Sequence, residues 1–261
     1  MIENKNPRKL RYLVAGYGLP AEFLVTQLFS MGVPCENIAV LTHDLDERNS
    51  GLHSLLKLRG ISHVTDSART DAAFEFSKRF NPDLVFSMHY RERIPDSILR
   101  LAPMGGVNLH PSLLPRYRGT NSAAWVIING EKETGFTYHR MTADFDAGNI
   151  LVQEKIEIYE WDTAFSLFNR LIVKSMFFLE KVLEKMLSED KGFQQEGDPT
   201  YFPRKLPFDG KIDPAWSDEQ VGRFIRALIF PPFPGATMTI DDKAVEVNSF
   251  EDYLMFKGSN N

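Results

Sequence analysis

Short apolar runs alternate with segments of helical apolar spacing over the first half of the chain. The apolar runs are LRYLVAG, NIAVLTHD, SHVTD, PDLVFSMH and GGVNLH, and the helical segments are PAEFLVTQLFSMG, SGLHSLLKLRG and TDAAFEFSKRFN. This βαβα order predicts a mostly parallel sheet wrapped by helices. The runs are rich in β-branched residues and apolar at most positions, which indicates strands covered on both faces. Ligand sites in such sheets lie beyond the carboxyl ends of the strands.

The second half of the chain predicts a further helix, two later strands and one long helix. SAAWVIING is predicted as the helix, and TGFTYHRM and NILVQEKIEI as the strands. Residues 162–187 predict a single long helix with Asp162 as its N-cap. Its apolar residues recur at helical spacing at Phe165, Phe168, Ile172, Leu179, Val182 and Met186. Because no cofactor motif lies on this segment, we interpret the apolar face as core packing or a subunit contact.

The composition of the chain changes after Gly192, where loops rich in Gly, Pro and Asp begin. They are followed by a short predicted helix, DEQVGRFIRALI, and a predicted hairpin, ATMTIDDKAVEV. This tail of about 70 residues is too short for another average domain. We therefore predict a catalytic core over residues 1–192 and a small C-terminal loop, helix and hairpin appendage over 193–261, which lies on the substrate side of the site or serves in dimerisation.

Composition and charge narrow the class of protein. Hydrophobic residues make up 43% of the 261 residues and charged ones 25%, so the chain can bury a large core. The formal charge of −5 argues against a protein that binds mainly nucleic-acid phosphates. Cys35 is the only cysteine, no long apolar run is present, and the start MIENKNPRKL is unlike a secretory signal. We expect a cytoplasmic protein with neither a membrane nor a nucleic-acid partner.

The stretch GYGLPA, residues 16–21, fits the loose G-x-G-x-x-G/A pattern of dinucleotide-binding turns. It follows a predicted strand and precedes a predicted helix, and Asp44 follows the next strand at the distance of a ribose-binding acid. A tight turn between a strand and a helix requires glycine for backbone reasons alone. An NAD-dependent oxidoreductase is therefore one hypothesis, and a turn without a cofactor is the other.

Asn108 and His110 lie two positions apart in the strand predicted at GGVNLH. Residues at that spacing project from the same face of a strand, here at its carboxyl end. An amide can donate a hydrogen bond to a developing oxyanion, and an imidazole can accept a proton near neutral pH. A polar pair that satisfies the turn after the strand is an equally good explanation of these two residues.

The stretch MTADFDAGNIL supplies carboxylates between two predicted strands. Asp144 and Asp146 precede the Ala147-Gly148 turn, and a carboxylate can fix the tautomer of a histidine and raise its basicity. An Asx-type turn is the alternative. Ser112 has no G-x-S-x-G motif around it, which argues against a serine hydrolase. No two His or Cys residues are spaced along the sequence as metal ligands usually are, so no metal is expected.

The segment VNLHPSLLPRYRGTNSAAWVIINGEKETGFTYHRMTADFDAGNIL resembles the core of the N10-formyltetrahydrofolate-dependent formyltransferases. The matching motifs are N-x-H-P-S-L-L-P-x-Y-R-G, G-E-x-E-T-G, H-R-M and D-x-G-x-I, in that order. VFSMHYRERIP upstream is similar to the Y-R-x-x-I-P folate loop of the family. The resemblance extends loosely over residues 10–250 and implies a Rossmann-like α/β core. This chain has D-A-G where the family often has D-T-G, which leaves the carboxylate in place.

Residue roles follow from the resemblance position by position. It implies that Asn108, His110 and Asp146 form the catalytic trio, and that the cosubstrate is N10-formyltetrahydrofolate. The residues implied for folate binding are Met88, Tyr90, Arg91, Ile94, Ser112, Leu113, Leu114 and Asp144. Those implied for the second substrate in the core are Gly16, Tyr17, Gly18, Arg118, Gly119 and Thr120. A homodimer is a further expectation from the family.

Within the family, HPSLLPRYRGTNS and YFPRKLPFDGKIDPAWSDEQVGRFIRA are most similar to the sugar N-formyltransferases. This branch implies formyl transfer to the 4-amine of a nucleotide-linked 4-amino-4,6-dideoxyhexose for O-antigen and lipopolysaccharide synthesis. GDP-perosamine and dTDP-linked 4-amino sugars both remain possible as substrates. A methionyl-tRNA formyltransferase, an NAD-dependent oxidoreductase and a non-catalytic folate-binding module are the alternatives.

The tail holds groups suited to a nucleotide diphosphate. Arg223 and Arg226 are three apart on a predicted helix and therefore share a face. Arg204 and Lys205 follow Tyr201 and Phe202, two rings that can stack on a base. An ordinary solvated face with local ion pairs is the alternative explanation.

Overall fold

The computed structural model describes residues 6–259, the last of them by its backbone alone. The strands in this part of the chain are β1 (Tyr12–Gly16), β2 (Ile38–Leu41), β3 (Ser62–Val64), β4 (Leu84–Met88), β5 (Gly106–His110), β6 (Arg118–Gly119), β7 (Glu133–Arg140), β8 (Ile150–Glu157), β9 (Tyr201–Phe202), β10 (Ala236–Ile240) and β11 (Lys243–Val247). The α-helices are α1 (Gly18–Ser30), α2 (Ser50–Arg59), α3 (Asp71–Phe80), α4 (Asp96–Leu99), α5 (Ser122–Ile128), α6 (Ala164–Met176), α7 (Leu179–Leu187), α8 (Asp218–Leu228) and α9 (Phe250–Ser259).

A seven-stranded sheet has the order β3-β2-β1-β4-β5-β7-β8. Strands β1 to β5 pair in parallel, and β7 pairs with β5 in the antiparallel direction. The strand order reverses at β1, because β2 lies on one side of it and β4 on the other. Such a switch point opens a crevice beyond the carboxyl ends of the two central strands. The predicted mostly parallel α/β sheet is confirmed.

The chain divides into two compact units, each assembled from separate stretches of sequence. Unit 1 contains the described residues up to His110 with Thr137–Val152 and Ser175–Gln195, and unit 2 contains Pro111–Phe136, Gln153–Lys174 and the described residues from Glu196 onward. The boundary predicted between residues 192 and 193 stays a prediction, because the division into these two compact units does not test where a folding domain ends. Residues 1–5 and 260–261 of the two predicted segments lie outside the described residues.

Unit 1 has a core of aliphatic residues from the parallel strands and the helices beside them. Every residue of β1 is buried, as expected for a strand covered on both faces. Close packing of α1 on β1 requires a glycine at position 16, because a Cβ atom there would overlap the Cβ of Ala21. The first glycine of GYGLPA is therefore explained by the packing of the helix on the strand.

Unit 2 contains a separate core built by the tail. Helix α8 begins with a capping box between Ser217 and Gln220 and buries one apolar face. Strands β10 and β11 form an antiparallel hairpin, and α9 follows them. The residues that share this core are Ile212, Val221, Phe224, Ile225, Leu228, Ala236, Val247 and Tyr253. The predicted short helix and hairpin are confirmed, while α9 was not predicted.

The single helix predicted over residues 162–187 is wrong, because α6 and α7 are separate helices. The amide of Phe178 bonds to the carbonyl of Ser175, three residues back, and Phe178 has a ψ of 1°. This tighter turn interrupts the α-helical ladder although the apolar spacing continues across it. Asp162 is also not the N-cap: the Thr163 hydroxyl accepts from the Ser166 amide at 3.1 Å. The Asp162 carboxylate instead pairs with Arg170.

None of the helices within residues 6–259 is long and apolar enough to cross a lipid bilayer. The cytoplasmic location expected from the sequence stays a prediction.

Candidate active site

Asn108 and His110 lie at the carboxyl end of β5, as predicted, and belong to unit 1. Their spacing of two places both side chains on one face of the sheet. In the antiparallel pairing with β7, Asn108 lies directly opposite His139 and His110 opposite Thr137. Cross-strand partners share a face, so β7 adds a second imidazole to the predicted pair.

Asp146 reaches the same face from the loop after β7. Its backbone has a φ of 51°, in the left-handed region that few residues other than glycine, asparagine and aspartate adopt. The amide nitrogen of Gln195 donates to the carbonyls of Asp146 and Gly148 at 2.7 and 2.9 Å. A Cβ atom on Gly148 would overlap the carbonyl oxygen of Arg140, so glycine is required where the loop returns to the strand. This loop is held in one conformation by contacts distant in sequence.

The carboxylate of Asp146 lies beside the imidazole of His110. Their Oδ2 and Nδ1 atoms are 3.5 Å apart, and the side chains are 11% and 5% exposed. A carboxylate facing Nδ1 favours the tautomer that carries its proton on that nitrogen. Nε2 is then the ring nitrogen that can accept a proton from a substrate. The three residues implied as catalytic therefore come together in unit 1.

His139 is a member of this cluster that the sequence did not single out. Its Nε2 lies 3.0 Å from Nδ2 of Asn108 and 3.4 Å from Oδ1 of Asp146, and the side chain is 3% exposed. The Nδ2 of Asn108 also donates to Oδ1 of Asp146 at 3.3 Å. The H-R-M match contained this histidine, but its place beside Asn108 depends on the register between β5 and β7.

The loop GYGLPA is joined to the loop after β2 by the buried side chain of Asn49. Oδ1 of Asn49 accepts from the amide of Gly18 at 2.9 Å, and Nδ2 donates to the His43 carbonyl at 2.8 Å. The amide of Gly18 is the first of helix α1, where a pyrophosphate would bind in a dinucleotide site. Since Asn49 already uses this donor, the geometry does not favour an NAD site.

Replacing Asn49 with alanine is expected to lower the free energy of unfolding by about 2 kcal/mol, because buried polar groups of both loops would lose their partners. Urea denaturation at equilibrium measures the change. Asn37→Ala is the matched control: its exposed amide donates to Arg8, and its effect should stay within about 0.5 kcal/mol. Equal stabilities of the two variants would contradict the role assigned to Asn49.

Tyr17 lies between charged groups at the switch point. Its hydroxyl donates to Asp46, and the guanidinium groups of Arg91 and Arg48 lie 3.7 and 5.4 Å from its ring centroid. Burial, followed by the hydrogen bond to Asp46, raises the pKa of Tyr17. The phenol is therefore neutral at physiological pH and donates a hydrogen bond to the carboxylate. Arg48 and Asp46 were not predicted, since their approach to Tyr17 depends on the loop after β2.

The folate residues implied in unit 1 differ in their exposure. Tyr90 stacks on His43 with ring centroids 4.7 Å apart, and burial, followed by the charge of Glu92, raises the pKa of Tyr90 to about 12. Met88 and Ile94 are buried in the core, so their side chains pack against protein. Asp144 is exposed on the loop that carries Asp146. Met88 and Ile94 therefore present almost no surface to a ligand.

The remaining folate residues lie in unit 2, in the loop bounded by the two prolines. The buried hydroxyl of Ser112 donates to the carbonyl of Arg116 at 2.8 Å and closes a turn. Leu114 is buried as well, and its carbonyl accepts from Gln153. Leu113 is partly buried. This serine shapes the loop, in agreement with the absence of a hydrolase motif around it.

Arg118, Gly119 and Thr120, which the resemblance implies for substrate binding, lie in unit 2 and pair with the tail. Strand β6, which contains Arg118 and Gly119, pairs in parallel with β9. The hydroxyl of Thr120 donates to the carbonyl of Pro203 at 3.0 Å. Gly119 has a φ of 91°, and a Cβ atom there would overlap the carbonyl of Phe202. These three residues therefore hold the tail segment against the loop.

The aromatic pair of the tail divides into a packed and an exposed ring. Phe202 stacks between Trp125 and Tyr117, with centroid distances of 4.4 and 5.5 Å. Tyr201 is 58% exposed and is the ring of the pair that can stack on a base. Lys205 pairs with Asp209 at 3.1 Å, and Arg204 is exposed.

Arg223 and Arg226 share a face of α8, as predicted, and line one cavity of about 900 Å³ in unit 2. Arg223 donates to the carbonyl of Ile128 and pairs with Glu219. Burial, followed by the charge of Arg223, lowers the pKa of Arg226. The cavity is also lined by acidic residues, at Glu131, Glu160, Asp218, Glu219 and Glu251. The wall thus combines carboxylates with the two guanidinium groups and the ammonium of Lys132, which are the groups that could bind a diphosphate.

The sequence of residues 12–183 matches the family model described as formyl transferase. The chain therefore belongs to the formyl transferase family, as the resemblance predicted. Over 243 residues it is 58% identical to the GDP-perosamine N-formyltransferase of Brucella melitensis biotype 1, and the match covers 93% of this chain and 94% of the relative.

The fold is similar to those of solved N-formyltransferases. A sugar N-formyltransferase from Shewanella sp FDAARGOS_354 matches with a TM-score of 0.73 at 20% identity, over 91% of this chain and 96% of that one. An N-formyltransferase from Helicobacter canadensis, in complex with folinic acid and dTDP-3-aminofucose, gives 0.73 at 20% identity over 90% and 86%. These similarities confirm the predicted formyltransferase fold.

Proposed function

We propose that the protein transfers the formyl group of N10-formyltetrahydrofolate to the 4-amine of a nucleotide-linked 4-amino-4,6-dideoxy sugar. The observation that carries the proposal is the convergence of Asn108, His110 and Asp146 at the carboxyl end of β5, in a chain of the formyl transferase family. An amide donor, an imidazole and an orienting carboxylate are the groups that acyl transfer to an amine requires.

The reaction consists of one bond formed and one broken. The neutral amine of the sugar attacks the formyl carbon, and the C–N bond forms as negative charge develops on the formyl oxygen. Asn108 donates a hydrogen bond to that oxygen, and Nε2 of His110 accepts the proton of the attacking amine. Asp146 stabilises the resulting imidazolium. The bond to N10 then breaks, and the proton passes from His110 to the departing tetrahydrofolate nitrogen.

GDP-perosamine is the substrate that we propose, in preference to the dTDP-linked 4-amino sugars. The support is the 58% identity to a GDP-perosamine N-formyltransferase across nearly the full length of both chains. The product would be an N-formylated sugar nucleotide for O-antigen synthesis. In this proposal Tyr201 stacks on the base, and Arg223 and Arg226 bind the diphosphate.

The test uses three reactions, each with the purified protein and N10-formyltetrahydrofolate. The amino sugar is GDP-perosamine in the first, a dTDP-4-amino-4,6-dideoxyhexose in the second and a UDP-amino sugar in the third. Mass spectrometry should detect the addition of one CO group to GDP-perosamine, with a kcat/KM at least tenfold above that of the other two (on the order of 1.4 kcal/mol in transition-state binding). Thermal unfolding gives a second measurement, because a ligand at 100 times its Kd stabilises the fold by about 2.7 kcal/mol. Preferential formylation of a dTDP sugar would contradict the nucleotide assignment, and no formylation of any amino sugar would contradict the function.

A further inference from the structure

His139 is buried beside the proposed catalytic trio, yet none of the steps above uses it. Its Nδ1 lies 3.0 Å from the carbonyl oxygen of Arg140. A carbonyl oxygen accepts hydrogen bonds and does not donate them, so Nδ1 carries a proton. In the neutral ring, Nε2 is then an acceptor.

Two polar atoms approach this Nε2. It lies 3.0 Å from the Asn108 amide and 3.4 Å from Oδ1 of Asp146, which is 3.3 Å from the same amide. With His139 neutral and its proton on Nδ1, the imidazole nitrogen and the carboxylate oxygen are both acceptors. A donor placed between them relieves the repulsion of their lone pairs, and the amide nitrogen of Asn108 is that donor. Were the amide rotated to place its oxygen there, three acceptors would face one another.

The same distances determine where the second N–H of Asn108 points. The three atoms form a triangle with sides of 3.0, 3.3 and 3.4 Å, so the angle at the amide nitrogen between its two acceptors is about 65°. The two N–H bonds of a planar amide diverge far more widely than this. If one N–H is shared between His139 and Asp146, the other is directed away from both.

We propose that His139 is a positioning residue that fixes the orientation of the Asn108 amide. With neutral His139 in place, the second N–H of Asn108 is presented to the oxyanion of the tetrahedral intermediate. Without the imidazole acceptor, the amide would also adopt the reversed orientation and turn its carbonyl oxygen towards the developing negative charge. This inference rests on the proposed function, because it assigns Asn108 the oxyanion.

The variants that test it are His139→Leu, which removes the acceptor, and His139→Gln, whose side-chain oxygen can accept from Asn108. His139→Leu should lower kcat about tenfold, which is less than the 10²–10³-fold expected for loss of the oxyanion donor. Its KM for both substrates should stay within about threefold of the wild-type value. Glutamine should restore most of kcat. Tyr138→Phe is the matched control, since Tyr138 is on the opposite face of β7 and donates to the Ser175 carbonyl. It should keep the wild-type kcat.

A double-mutant cycle separates positioning from a general structural effect. If His139 acts through Asn108, adding His139→Leu to Asn108→Ala should lower kcat by no more than about twofold further. Additive losses in the double variant, or an unchanged kcat in His139→Leu, would overturn the proposal. An inactive wild-type protein would instead refute the proposed function, so the two failures are distinguishable.

The wild-type protein provides a test that does not depend on the folding of any variant. Nitrogen-15 NMR of His139, at the pH of the assay, should show a neutral ring with its proton on Nδ1. An imidazolium, or a neutral ring protonated on Nε2, would make this nitrogen a donor. Either spectrum would overturn the proposed orientation of Asn108.

Discussion

His110→Ala is expected to lower kcat by about 10²–10⁴-fold, the usual contribution of a general base. The variant retains Asn108 and Asp146 but lacks the Nε2 lone pair that accepts the amine proton. Substrate binding precedes proton transfer, so KM for the sugar nucleotide should change by less than about threefold. Steady-state kinetics with the cognate amino sugar measure both parameters.

Two controls show whether the loss in His110→Ala is chemical. The thermal unfolding temperature with and without GDP-perosamine should show that the variant still folds and binds. Added imidazole should recover part of the rate, because a small base can enter the space left by the side chain. A variant with near wild-type formyl transfer would show that His110 is not the base.

Asn108→Ala is expected to lower kcat by about 10²–10³-fold, equivalent to about 3 kcal/mol of lost oxyanion stabilisation. The interaction strengthens as negative charge develops on the formyl oxygen, so the loss should appear in kcat and not in KM. Single-turnover measurements with saturating substrates isolate this step.

Asn149→Ala is the matched control for Asn108→Ala, because its exposed amide donates to the Lys191 carbonyl and not to the cluster. It should keep kcat within about twofold of the wild type. If Asn108→Ala raised KM and left kcat unchanged, the amide would bind the ground state and the oxyanion assignment would be wrong.

Much of the fold was predictable because it depends on local patterns. The apolar runs became β1 to β5, and the tail formed the expected helix and hairpin. The break between α6 and α7 was not predictable, since the apolar spacing continues through Phe178 and no glycine or proline marks the turn. The same holds for Thr163, which replaces Asp162 as the helix cap. Periodicity locates a buried face, but the contacts of neighbouring elements decide where a helix is interrupted.

Only the part of the candidate site that depends on local spacing or on the family motif was predicted. A spacing of two within β5 places Asn108 and His110 on one face, and the family motif supplies Asp146. His139 and Asn49 were missed because each acts on a residue from another strand or loop. No local pattern in the sequence predicts which residue of β7 will lie opposite Asn108. Nor does one predict that an asparagine after β2 will bind the amide of Gly18.

Local patterns in the chain were sufficient to predict the class of fold, the same-face placement of Asn108 and His110, and membership of the formyl transferase family. The strand order, the register that places His139 opposite Asn108, and the loop conformation that brings Asp146 to both imidazoles emerge only from the folded chain. The difference lies in the range over which each interaction acts. Side-chain periodicity and turn chemistry act between neighbouring residues, whereas register and loop closure are set by packing between segments far apart in the chain.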